Sequence, residues 1–195
     1  MSEYRIYTPS AEGYKLFREN LKKADPDWLK KELALLKDFS DTPENTNKDI
    51  VSYRVRKLNS AYSTRISNVE LDEIEKIILQ PGFDEKLDDG YEAVEKLRRV
   101  PSQRQSAPTR DYLSFATKYC HHCLPDKFPI YDSVNVRVLS DYSGYKDKRN
   151  YTEYVECFKQ FCLAIRCSEL KANEGFYVDK YIQAIGIHSE LLFSV

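Results

Sequence analysis

Apolar residues recur along this chain mainly at intervals of three and four, the spacing that lines one face of an α-helix. Ser10 is placed to cap a first helix, "AEGYKLFRENLKKA". Pro26 opens a second, "PDWLKKELALLKDF", whose stripe of Trp28, Leu29, Leu33 and Leu36 is expected to face a core. "TPENTNKDIVSYRVRKLNSAYST" supplies a third helix. "NVELDEIEKIILQ" supplies a fourth, with Val69, Ile74, Ile77 and Ile78 expected on one face, and "DDGYEAVEKLRR" a fifth, separated from the fourth by Pro81-Gly82. "VPSQRQSAP" reads as a flexible loop, after which Pro108 or Thr109 opens a helix through Cys123. Asp132 or Ser133 starts the next, "SVNVRVLSDY", and "RNYTEYVECFKQFCLAIRC" and "FYVDKYIQAIGI" complete the set. The expected class is all-α, and neither repeats nor low-complexity segments interrupt it.

A length of 195 residues with 42% hydrophobic content is enough for one well-buried core and short for two, so a single compact domain spanning residues 1–195 is expected. No apolar run approaches the length needed to span a bilayer, and the N-terminal residues lack the pattern of a secretory signal, so the expected location is cytoplasmic. The five cysteines (Cys120, Cys123, Cys157, Cys162 and Cys167) are then expected as thiols without a structural disulfide.

The net charge of −1 conceals a segregation of sign. Residues 69–95 carry ten acidic residues against two basic ones. Residues 96–118 carry six basic residues against Asp111 alone, a net of +5 that suits an anionic ligand. Within that stretch Arg99, Arg104 and Arg110 are the candidate contacts to nucleic-acid phosphates. An unevenly charged but ordinary surface is the alternative.

The segment "FATKYCHHCLPDKFPIYDS" (residues 115–133) concentrates the chemistry-bearing side chains. Cys120-His121-His122-Cys123 offers half of a zinc site, but no second Cys-x-x-Cys or His pair exists to close a tetrahedron. On a helix the consecutive histidines diverge by about 100°. Packed thiols with one partly buried imidazole are therefore expected, with no metal. The histidines also lack a nucleophilic partner in a triad setting. Lys118 and Asp132 suit cleavage of an N-glycosidic bond better. A fixed carboxylate stabilises an oxocarbenium ion or helps a nucleophile attack it, and a neutral buried amine attacks the same carbon and proceeds to a Schiff base. Each has a structural alternative: Asp132 as a helix cap and Lys118 snorkelling from a face of Phe115, Tyr119 and His122.

The stretch "SFATKYCHHCLPDKFPIYDSVNVRVL" resembles the helix-hairpin-helix DNA glycosylases, particularly the 8-oxoguanine DNA glycosylase branch. "FPIYDSVNVRVL" resembles that family's catalytic-aspartate segment and "FYVDKYIQAIG" its final helix. "LNSAYSTRI" is similar to a stretch of bacterial proteins with the 8-oxoguanine glycosylase fold. The resemblance implies a single helical glycosylase domain that flips out and removes a modified base in DNA repair or anti-phage defence. Asp132 and Lys118 would be catalytic, with an associated lyase step if Lys118 is the nucleophile. Asn59, Tyr62, Ser63, Thr64, Arg65, Tyr131 and Ser133 would line the substrate pocket. No cofactor is implied, and the expected partner of a monomeric enzyme is DNA or a modified nucleoside, not a membrane. "SFAT" stands where the family carries a Gly-x-Gly phosphate-binding turn. Two alternatives therefore stay open: a nucleosidase acting on a free modified nucleoside or nucleotide, and a catalytically silent nucleic-acid-binding module.

Overall fold

The computed structural model describes residues 9–100, 110–146, 149–165 and 174–187. Ten helices and no strand occur among them, in keeping with the expected all-α class: α1 (Ala11–Ala24), α2 (Asp27–Ser40), α3 (Lys48–Ala61), α4 (Asn68–Ile78), α5 (Phe83–Asp88), α6 (Glu92–Arg98), α7 (Leu113–Cys123), α8 (Ser133–Ser143), α9 (Tyr151–Ala164) and α10 (Glu174–Ile187). The chain divides into two compact units. One comprises residues 1–32 and 125–195, the other residues 33–124, so the first division falls inside α2.

In the unit of residues 33–124, α3 packs against α4 and α7, and α6 against α7. Val51, Val55, Leu58, Leu71, Ile74, Ile78, Val94 and Leu97 are buried there. Each aliphatic side chain removed from water in this way contributes about 1.5–3 kcal/mol. Ser67 and Glu70 form a reciprocal capping box that starts α4. Arg54 is fully buried and donates to the carbonyl oxygens of Asp38 (3.0 Å), Phe39 (3.1 Å) and Thr42, so a guanidinium finishes α2 where the helix dipole favours positive charge.

In the unit of residues 1–32 and 125–195, α10 packs on α8 and α1, and α8 on α9. Gly186 permits the α8–α10 approach, because a Cβ there would lie 2.6 Å from Val134 Cγ1 and 2.9 Å from Val138 Cγ2. Tyr154 stands at the centre of an aromatic group, its ring 5.0 Å from that of Tyr131, 5.9 Å from Tyr145 and 6.0 Å from Tyr151.

Several local expectations need correction. Trp28 is 40% exposed, and Leu35 and Phe39 join Leu29 and Leu36 as the buried positions of α2. Val69 is 45% exposed, and the buried face of α4 runs through Leu71, Ile74 and Ile78 instead. Six residues after Pro81-Gly82 form α5, which buries Phe83 and Leu87. Residues 110–112 are not helical. Helix α7 starts at Leu113, whose N–H is accepted at 3.0 Å by the Asp111 carboxylate, itself gripped by Arg98 at 2.6 and 3.1 Å. Pro108 and Thr109 lie outside the described residues. Both His121 and His122 are buried, rather than one imidazole being partly so.

Candidate functional site

The candidate residues fall into both units, Lys118 in residues 33–124 and Asp132 in the other. Lys118 lies on α7 and is 6% exposed. Its Nζ donates to Ser114 Oγ at 2.7 Å and sits 5.2 Å from the centre of the Tyr62 ring. The Tyr62 ring also packs edge-on against His122 at 5.9 Å, and His122 Nδ1 bonds the Lys118 carbonyl at 2.8 Å. Lys118 therefore does not snorkel to solvent. Its amine is held beside a phenol and a hydroxyl, a desolvated setting. Ser114–Thr117 are part of α7, so the sequence "SFAT" is helix rather than a phosphate-binding turn.

The loop after α3 separates its polar residues by role. Asn59 Oδ1 accepts from the Ile66 N–H (3.0 Å) and from Thr64 Oγ1 (2.6 Å), while its Nδ2 donates to the Ile66 carbonyl (3.1 Å). Asn59 and Thr64 thus shape the loop from inside. Ser63 and Arg65 are exposed and adopt left-handed backbone angles, φ 48° and 55°. Arg110 lays its guanidinium on the carbonyls of Thr64 and Arg65, 3.4 Å from each. Of the other bases expected to track phosphates, Arg99 is exposed and pairs with Glu95 at 3.3 Å, and Arg104 lies outside the described residues.

Cys120, Cys123, Cys157 and Cys162 form no disulfide among the described residues. Burial raises the Cys123 thiol from its usual 9.0 to about 12, against the opposing pull of Arg54 and the Asn45 side-chain bond. Among the described residues no cluster of three or more His, Cys, Asp or Glu is placed to hold a metal ion.

Asp132 is the N-cap of α8. Its Oδ1 accepts the Val134 and Asn135 N–H groups at 3.0 and 2.9 Å, and its Oδ2 accepts no hydrogen bond among the described residues. One oxygen therefore anchors the side chain while the other stays available. Ser133 beside it is exposed, and Tyr131 is buried against Tyr154. The chain entering this corner is fixed by hydroxyls of α9. Tyr151 donates to the Pro129 carbonyl at 2.8 Å and Tyr154 to the Ile130 carbonyl at 2.5 Å. Burial and the negative charges of Asp179 and Asp132 hold the Tyr154 hydroxyl protonated to well above its ordinary range.

Sequence reasoning missed the buried polar residues behind Asp132. Asn135 Nδ2 donates to the Ile130 carbonyl (3.0 Å) and to Asp179 Oδ1 (2.5 Å), and Asp179 Oδ2 accepts from Gln183 at 3.1 Å. Lys180 reaches Asp179 at 3.4 Å and Glu32 at 3.2 Å. Burial works against its charge, yet the two carboxylates hold its pKa above the ordinary lysine value. The signal for this network was adjacent opposite charges at core positions of the apolar run "FYVDKYIQAIG".

Comparison with known proteins supplies a family but no activity. A protein of Haemophilus influenzae, described only as uncharacterized, is 33% identical over 112 residues, covering 53% of this chain and 54% of that protein. The match thus spans about half the length of the relative. No solved structure matches the chain. The family HI_0787_N, described as an N-terminal domain, matches residues 14–127, from α1 through α7 and Lys118 but ending before Asp132. That match covers more than half of the chain, and the chain belongs to this family.

Proposed function

We propose that this protein cleaves N-glycosidic bonds of modified nucleotides, with Asp132 as the carboxylate that supports departure of the base. The observation that carries this reading is the division of labour within one side chain: Oδ1 is locked by two α8 amides and Oδ2 accepts no hydrogen bond among the described residues. A carboxylate fixed in this manner faces a developing oxocarbenium ion without reorganising, which is where an electrostatic stabiliser has its largest effect. The resemblance of "FPIYDSVNVRVL" to the catalytic-aspartate segment of the helix-hairpin-helix glycosylases supports the same assignment. Lys118, set against Tyr62 and Ser114, is the candidate nucleophile of a lyase step.

The basic stretch favours a free nucleoside as a second substrate reading. Arg98 pairs with Glu95 and Asp111, Lys96 with Glu92 and Arg99 with Glu95, and Arg110 is spent on loop carbonyls. Those partners offset the local excess of positive charge that a phosphate track needs. Incubation of the full chain with modified-base duplexes, single strands and free modified nucleosides, scored for released base, tests both readings. Release from DNA supports the glycosylase, release from nucleosides alone supports the nucleosidase, and no release on any substrate opposes both.

A further inference from the structure

The network behind Asp132 is expensive in the form it takes. Asn135 and Asp179 are both 0% exposed, and Lys180 is nearly so. Buried ions are commonly no more stabilising than apolar side chains of similar volume, so packing alone does not account for a carboxylate and an ammonium here. The Asn135 amide has an added cost. Both of its Nδ2 neighbours, the Ile130 carbonyl and Asp179 Oδ1, are acceptors, so the amide must turn its nitrogen toward them. Its buried Oδ1 is left with no hydrogen-bond partner among the described residues. The bridge is thus made at the expense of an unsatisfied acceptor.

What the bridge joins is specific. Ile130 lies two residues before Asp132, and the Asn135 N–H is one of the two groups that hold Asp132 Oδ1. The Asn135 side chain ties the chain entering the corner to the first turn leaving it, and Asp179 on α10 fixes the orientation of that side chain. We infer that Asn135 and Asp179 are positioning residues: through the Ile130–Asn135–Asp179 bridge they hold Asp132 in its capped, outward-facing geometry. This rests on the reading of Asp132 proposed above, and it assigns the bridge a role distinct from holding α8 and α10 together.

Amide hydrogen exchange on the full chain, read at the amides of residues 134 and 135 and compared with α9 and α10, tests the bridge without relying on activity. In Asn135→Ala those two amides are expected to exchange about tenfold faster while protection in α9 and α10 is unchanged. In Asp179→Asn, which keeps an acceptor oxygen for Asn135, exchange stays near wild type. Asn135→Ser, too short to reach Asp179, replaces the alanine variant if that variant does not fold. Unchanged exchange at residues 134 and 135, or equal loss across α8, α9 and α10, overturns the inference. With a base-releasing substrate, Asn135→Ala should lower kcat about tenfold at unchanged KM, whereas Asp179→Asn should keep most of the wild-type value. A rise in KM alone contradicts positioning. A wild-type chain that releases no base sinks the glycosidic reading and leaves the exchange result to decide the bridge.

Discussion

Asp132 Oδ1 accepts the backbone N–H of Asn135 at 2.9 Å, and that bond makes the candidate catalytic carboxylate also the cap of its helix. The two roles separate on substitution. Asparagine caps as well as aspartate, so Asp132→Asn should leave the urea midpoint within experimental scatter, whereas Asp132→Ala should cost about 1 kcal/mol. Equal losses for the two variants would show that charge, rather than the hydrogen bonds, holds the corner.

Lys118 offers a covalent readout. As the nucleophile it forms a Schiff base with the sugar, which borohydride reduces to a stable enzyme–DNA adduct. The wild-type chain should be trapped on a substrate duplex, and Lys118→Gln should not be. Trapping that survives in Lys118→Gln would move the nucleophile to another amine. Release without trapping in the wild type would make water the nucleophile.

The thiol of the half-buried Cys123 makes stability fall at alkaline pH. Its folded value of about 12 lies above the ordinary 9.0, so the native state keeps a proton that the unfolded chain surrenders. The contribution is fully present below pH 9 and is lost as pH rises toward 12. Tyr119 and Tyr154, also raised by burial, act in the same direction at higher pH. Thermal melts between pH 8 and pH 11 should show a declining Tm, with a shallower decline between pH 9 and pH 11 in Cys123→Ala. Parallel declines would exclude Cys123 as a contributor.

Arg54 should outweigh any surface arginine in stability. Arg54→Lys removes the fork that serves the end of α2 and should cost about 3 kcal/mol. Arg99→Ala, which breaks only an exposed pair with Glu95, should cost less than about 1 kcal/mol. Urea denaturation of the two variants makes the comparison, and similar losses would contradict the capping role of Arg54.

Helix ends were legible in the sequence wherever a side chain caps its own backbone. Ser10 and Asp132 stand in the expected places because their partners are only two or three residues away. The buried faces of α2 and α4 were less legible. Trp28 and Val69 satisfy the apolar spacing yet remain exposed, since periodicity does not say which edge of a stripe the neighbouring helix covers. Of the candidate residues, the capping by Asp132 was legible, whereas the burial of Lys118 was not. The inward roles of Asn59 and Thr64 depend on how the loop closes on Ile66. The Asn135–Asp179 contact joins positions 44 residues apart, which no local pattern encodes.

Base release by the wild-type chain and by Asp132→Asn, measured side by side on the same modified duplexes and nucleosides, tests the central claim most directly. The account predicts release by the wild type and a loss of about 10²- to 10³-fold in Asp132→Asn, equivalent to roughly 3–4 kcal/mol of transition-state stabilisation, at unchanged Tm. Release at equal rates by both proteins, or by neither on every substrate, would contradict it.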